Sequence, residues 1–241
     1  MDIIKKISEE IGCRTSQTEA AVKLIDEGNT IPFIARYRKE ATGALNDEQL
    51  RTLHERLTYL RNLEDKKAQV IASIEEQGKL TPELRAEIEA AETMVLVDDL
   101  YRPYRPKRKT RATVAKDKGL EGLANIISLQ MTSTPIRTEA EKYVSTEKGV
   151  ETVDDAISGA MDIIAENISD TADYRTKIRD LTTKKGFINT TAKDPDAESV
   201  YEMYYNFSAP ISKMTGYRTL AINRGEKEKF ITVKIEAPVD E

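Results

Sequence analysis

DEQLRTLHERLTYLRNLEDKKAQVIASIEEQ (residues 47–77) decides the fold class. Leu50, Leu53, Leu57 and Leu60 recur at spacings of three and four, the pattern of a helical seam. The stripe then drifts to Leu63, Val70, Ile71 and Ile74, and neither glycine nor proline interrupts it. Asn46 with Gln49 resembles a capping box at its start. At the α-helical rise the element is about 45 Å long, enough to brace a structure rather than fit inside one small globule.

Shorter helical patterns flank it. Ile3, Ile4, Ile7 and Ile11 share one helical face, and Gly12 stops it. Ser16 with Glu19 reads as a capping box for a helix carrying Ala20, Ala21, Leu24 and Ile25. Pro32 suits the first turn of a short helix bearing Phe33, Ile34 and Tyr37, closed by Gly43. Thr81-Pro82 opens another, with Leu84, Ile88 and Ala91 on its buried side. Beyond Gly119 a helix passes through Ile126 and Ile127. Farther on, Asp155 begins one with Ile157, Ala160, Met161, Ile164 and Ile168 on one face. Tyr174, Ile178 and Leu181 mark the next, which ends at Lys184, Lys185 and Gly186, where cations complement the helix dipole. Residues 230–235 alternate and are β-branched, so they read as a strand, with 187–191 a weaker one. The expected architecture is mainly α: a multi-helix assembly with a long central helix and a small β element near the C-terminus. LQMTSTP (residues 129–135) reads as a joint. It divides an N-terminal helical region with a basic loop, 1–130, from a second helical subdomain, 131–241, that ends in a strand.

Composition narrows the function classes. The chain has 241 residues, 33% of them charged, and a net charge of −5, so global charge does not draw it to polyanions. The positive charge is local instead. Arg102, Arg105, Lys107, Arg108, Lys109, Arg111 and Lys116 lie between Asp99 and Asp117 with no acid among them. The single cysteine, Cys13, excludes an internal disulfide and fits a reducing cytosol. No secretory leader is evident, and no apolar run approaches the roughly 18 residues of a membrane helix. A cytoplasmic protein without membrane contact is expected. His54 is the only histidine, and with one cysteine it cannot complete a structural zinc site. His54 lacks a local triad motif, and no phosphate-cradling or nucleophile-elbow glycine motif occurs. The reading is therefore of a chain that is not an enzyme, with no catalytic residue, metal or cofactor.

The strongest chemical feature is LYRPYRPKRKTRA, residues 100–112. Pro103 and Pro106 disfavour helix at the residue before each, which predicts a loop displaying guanidinium groups. Arg102, Arg105, Lys107, Arg108, Lys109 and Arg111 are then candidate phosphate contacts, and Tyr101 and Tyr104 offer faces for stacking on bases or on arginine. The competing reading is a basic loop pinned by nearby acids, among them Asp98 and Asp99. FIARYRKE (residues 33–40) is the second candidate, through Arg36, Arg38 and Lys39. There the weight falls on packing, because Phe33 and Ile34 look too apolar for solvent, with the arginines bonded to helix ends or acids. Asp98-Asp99 next to arginines reads as ion-paired rather than metal-binding.

Three segments together resemble the Tex family of bacterial transcription accessory proteins. They are TIPFIARYRKEATGALNDEQL (30–50), DLYRPYRPKRKTRATVAKDKGLEGLA (99–124) and YRTLAINRGEKEKFITVKIE (217–236), in the family's order. The resemblance implies an elongated multidomain protein with a helix-turn-helix-like part in its helical N-terminal region. RNase H-like, helix-hairpin-helix and OB-fold RNA-binding domains would follow, so this chain reads as a fragment whose last strand is an open edge. It implies nucleic acid, DNA or RNA backbone, as a partner, and transcription machinery as another. The third segment departs from the family's Ser-His before arginine, having Gly216-Tyr217-Arg218, so no histidine role is carried there. Two functions follow: a helical scaffold making sequence-independent phosphate contacts, or a protein-interaction scaffold that positions later domains or docks transcription machinery.

Overall fold

The computed structural model describes residues 2–106 and 109–239. The chain forms two compact units, whose described residues are 2–106 and 109–239.

The first unit holds α1 (Ile3–Ile11), α2 (Thr15–Asp26), α3 (Ile31–Tyr37), α4 (Asp47–Glu76), α5 (Pro82–Ala90) and α6 (Met94–Tyr101). The long central helix α4 is where the leucine pattern places it. Its cap is reciprocal: the Gln49 amide donates to Asn46 Oδ1 at 2.8 Å, and the Asn46 amide donates to Gln49 Oε1 at 3.1 Å. Leu50, Leu53, Leu57, Leu60, Leu63, Val70 and Ile74 are buried along one side. The other five helices pack against that stripe. One buried position of α4 is charged, and it is satisfied. Lys67 Nζ donates to the Glu89 carbonyl and to Glu64 Oε1, both at 2.8 Å. Two bidentate pairs clamp α1 and α2 onto α4. Arg56 grips Glu10 at 2.6 and 2.8 Å, and Arg61 grips Asp26 at 2.7 and 2.8 Å.

The start of α2 differs from the Ser16–Glu19 expectation. The helix begins at Thr15, and the Arg14 amide donates to Gln17 Oε1 at 3.1 Å. Gln17 takes this position because its carboxamide also bonds outside the helix, where Nε2 donates to the carbonyls of Thr42 and Gly43 at 3.2 and 2.8 Å.

The second unit comprises α7 (Arg111–Asp117), α8 (Glu121–Leu129), α9 (Ile136–Glu141), α10 (Val153–Asp170), α11 (Ala172–Lys185), β1 (Phe187–Ala192), β2 (Asn206–Pro210), α12 (Gly216–Lys227) and β3 (Ile231–Glu236). Here α10 takes the central place, with α7, α8 and α9 packed on it. Compaction therefore groups α7 and α8 with the residues that follow them, rather than with 1–106. The buried face of α10 is Ala156, Ala160 and Ile163, while Met161 and Ile168 face solvent. Of the apolar face expected from the sequence, Ala160 is buried and Ile157 and Ile164 pack against the core, but Met161 and Ile168 do not. The reason is small-residue packing: a Cβ at Gly159 would collide with Leu120 and meet Ala115 at 3.4 Å. The helix α11 likewise buries no residue, and Tyr174 and Ile178 are exposed.

The strands form one antiparallel sheet in the order β2-β1-β3. Thr190 at its centre faces Phe207 on one neighbour and Val233 on the other. The last strand is an edge strand, paired along its whole length with β1. Beneath the sheet Tyr204, Ile222 and Ile231 are buried, with Phe207, Phe230 and Val233 packed around them. The twelve α-helices and the small sheet among the described residues give the mainly α architecture with a C-terminal β element.

Candidate nucleic-acid interface

The basic stretch is not a free loop throughout. Its first half continues α6 into a single 3-10 turn, Arg102–Tyr104. Arg102 sits at φ −53° and ψ −43°, helical although Pro103 follows it. The usual bias against helix before proline is overridden from both sides. The Arg102 amide reaches the Asp99 carbonyl, and the Arg105 amide donates to the Tyr101 carbonyl at 3.0 Å. The tyrosines anchor the turn. Both pack on the core of the first unit; the Tyr101 hydroxyl lies 2.9 Å from Ser73 Oγ, and Gln77 Nε2 donates to the Tyr104 carbonyl at 3.0 Å. They are fasteners against α4 rather than open stacking faces. Arg105, at φ −66° and ψ 131°, is extended before Pro106, as proline demands.

Lys107 and Arg108 lie outside the described residues. The second half then enters α7. Thr110 caps that helix, with the Thr113 amide donating to its hydroxyl oxygen at 3.0 Å, while that hydroxyl donates to Glu166 Oε1 at 3.0 Å. Arg111, at the first helical position, is 88% exposed, with Nη2 3.3 Å from Asp162. Arg102, Arg105 and Lys109 are exposed. Among the described residues Arg105 and Lys109 meet no acid within salt-bridge distance, whereas Asp98 pairs with Lys66 at 3.0 Å.

Lys109 and Arg111 share a cleft of 710 Å³ in the second unit with Lys118, Glu151, Asp155 and Asp162. Its charges are mixed. Hydrogen bonding to Thr152, whose amide donates to Asp155 Oδ2 at 3.0 Å, holds the Asp155 carboxyl below the usual aspartate range, so it remains anionic at neutral pH. Lys118, which donates to the Gly149 carbonyl at 2.7 Å, was not singled out by sequence. It lies thirty-one residues from that partner along the chain, so only folding reveals the pairing.

The second candidate segment behaves differently. In α3 only Ile34 is fully buried; Phe33 is 36% and Tyr37 60% exposed. The packing expectation holds for Ile34 and fails for the aromatics, because a seven-residue helix offers α4 one narrow face. The Arg38 guanidinium lies 5.2 Å from the Phe33 ring centre, and that of Arg36 5.9 Å from the ring of Tyr37. Arg36, Tyr37, Arg38 and Lys39, with Glu40 and Ala41, line a depression of 440 Å³. Among the described residues, none of Arg36, Arg38 and Lys39 forms an ion pair. Arg38 Nη1 also donates to the Tyr37 carbonyl at 3.3 Å, at the helix end.

His54 is exposed on α4. Among the described residues no group of three histidine, cysteine or acidic side chains is placed to hold a metal. Among them, too, no helix is long and apolar enough to cross a membrane.

Comparison with known proteins agrees with the resemblance seen in the sequence. Residues 1–75 match the Tex-like protein N-terminal domain, and residues 131–241 the Tex central region-like domain. The chain is 47% identical over 239 residues to the uncharacterized protein YdcI of Bacillus subtilis, covering 98% of this chain and 33% of that one. It is 39% identical over 244 residues to the transcriptional accessory protein Tex of Neisseria gonorrhoeae, covering 100% and 32%. It is 29% identical over 244 residues to the human S1 RNA-binding domain-containing protein 1, covering 97% and 24%. The chain thus spans about a third of the length of its bacterial relatives. Two domain matches in the same order, with near-complete coverage by a transcriptional accessory protein, place it: the chain belongs to the Tex family.

Proposed function

We propose that this region is a helical scaffold of a transcription accessory protein, acting without catalysis of its own, that adds sequence-independent phosphate contacts to nucleic-acid binding. Arg102, Arg105, Lys107, Arg108, Lys109 and Arg111 form one set of contacts, and Arg36, Arg38 and Lys39 the other. The observation that carries this reading is exposed positive charge left unneutralised. Arg105 and Lys109 face solvent with no ion pair among the described residues, on a chain whose net charge is −5. Among the described residues folding has not spent Arg105 and Lys109 on intramolecular bridges, as it has Arg56 and Arg61, whereas Arg111 lies 3.3 Å from Asp162. The names of the relatives support the setting: one is a transcriptional accessory protein and one carries an S1 RNA-binding domain. The cytoplasm is the matching compartment.

The test is a binding titration of the intact chain with a labelled oligonucleotide at low and high salt. Affinity is expected to fall linearly on a log–log plot, with a slope of about −0.7 to −0.9 per phosphate neutralised. Reversing Arg105, Lys107, Lys109 and Arg111 to glutamate is expected to abolish binding. No detectable binding by the unaltered chain at low salt ends the proposal.

A second reading has its own support. Ile168, Tyr174 and Ile178 are exposed and line a shallow depression of 310 Å³ on α10 and α11, the kind of surface that docks a protein. If the chain is instead a protein-interaction scaffold, capture of transcription machinery survives nuclease treatment. If nucleic acid is the bridge, capture is lost.

A further inference from the structure

The Phe33–Tyr37 pair stands outside the buried core of the first unit. The core contacts of α3 come from Ile34, with Ile31 and Ala35 partly buried beside it. Phe33 and Tyr37, one turn apart, point outward with ring centres 5.2 Å apart and planes inclined at 48°. Two guanidinium groups lie over these rings and Lys39 stands beside them, with Glu40 the one acid lining the same depression. The arrangement is held from behind. The Thr42 side chain is fully buried and its hydroxyl lies 3.3 and 3.4 Å from the carbonyls of Arg38 and Lys39. The Ala44 amide donates to the Lys39 carbonyl at 2.7 Å, and Gln17 ties the turn to α2. Gly43, at φ +59°, closes against Gln17 so tightly that a Cβ would lie 2.7 Å from Nε2.

Building on the nucleic-acid reading, we infer that Phe33 and Tyr37, flanked by Arg36, Arg38 and Lys39, form a base-stacking platform for single-stranded nucleic acid. Aromatic faces accept any base, cations accept the backbone, and neither reads sequence. A duplex keeps its base faces stacked internally, so it offers this surface only phosphates. The chemistry therefore selects strands whose bases are already unpaired.

The experiment uses the intact chain with a short oligothymidine, a duplex of equal length, and polyglutamate as a polyanion without bases. Tyr37→Ala is expected to weaken oligothymidine binding by about fivefold or more and to leave duplex binding unchanged. Tyr37→Trp is expected to keep single-strand affinity. Because the chain has no tryptophan, its emission then reports that one position. Quenching by oligothymidine but not by polyglutamate supports stacking. If oligothymidine binds but Tyr37→Ala has no effect and the Tyr37→Trp emission is unmoved, the platform is refuted while the phosphate-contact reading stands. Equal quenching by polyglutamate also refutes it, assigning the surface to anions in general. If the unaltered chain binds neither nucleic acid at low salt, both readings fall together.

Discussion

The two units solve the same packing problem with opposite residue sizes. The first buries a leucine and isoleucine stripe: Leu50, Leu53, Leu57, Leu60, Leu63 and Ile74 of α4, against Ile7, Ile34 and Ile88. The second packs α10 against its neighbours largely through alanine: Ala112, Ala115, Ala124, Ala140, Ala156 and Ala160, with Gly159 at the tightest point. Large side chains tolerate no loss of volume, because a partly relaxed cavity remains. Small ones tolerate no gain, because backbones already approach closely. The first unit is thus vulnerable to truncation and the second to enlargement.

The largest effect expected follows from Leu60→Ala, which empties a fully buried position at the middle of α4. It is expected to destabilise the first unit by about 2–5 kcal/mol, read as a lower urea midpoint for probes in that unit. Gly159→Val comes next. The added Cβ collides with Leu120, and about 1–3 kcal/mol is expected to be lost from the second unit. Equal sensitivity of both units to both substitutions would erase the distinction. Thr152→Ala removes the hydroxyl that accepts from the Asp155 amide at 3.1 Å at the start of α10, worth about 1 kcal/mol in the second unit.

The smallest effect sharpens the comparison through pH. Hydrogen bonds from Arg56 and Arg61 hold the carboxyls of Glu10 and Asp26 below their ordinary range. Their folded pKa values are lower than their unfolded ones. The stabilisation is therefore present at neutral pH and is lost as the medium is acidified through and below about pH 4. Both pairs are partly exposed to solvent, which limits each to about 1 kcal/mol or less. Paired substitutions, Glu10→Gln with Arg56→Gln, compared by urea unfolding at neutral and acid pH, are expected to show coupling only at neutral pH.

The legible parts of the fold are those whose signal lies in large apolar residues at regular spacing, or in caps. The long helix, its Asn46–Gln49 box and the Thr81-Pro82 start are such cases. The helices α7, α9 and α12 and the strand β2 give no such signal. RATVAKD and GYRTLAINRGEK bury alanine, glycine or a single isoleucine, so they carry little hydrophobic periodicity, and NFSAP ends in proline. The α10 face misleads for the same reason: Met161 and Ile168 are conspicuous in sequence, but the interface takes small side chains. Of the candidate site, the composition of both basic segments is legible. The anchoring of Tyr101 and Tyr104 is not, since it depends on Ser73 and Gln77 at the end of α4.

Sequence alone determined the mainly helical architecture, the length and register of α4, and the local concentration of cations, because spacing, capping and charge are properties of neighbouring residues. Tertiary structure decided which of those cations remain exposed and which aromatic rings face out. That choice depends on groups far apart in the chain: Gln17 and Thr42 behind the α3 turn, α4 beneath Tyr101, and Asp162 beside Arg111. A side chain's exposure is set by what packs against the opposite face of its helix, and no local pattern encodes that.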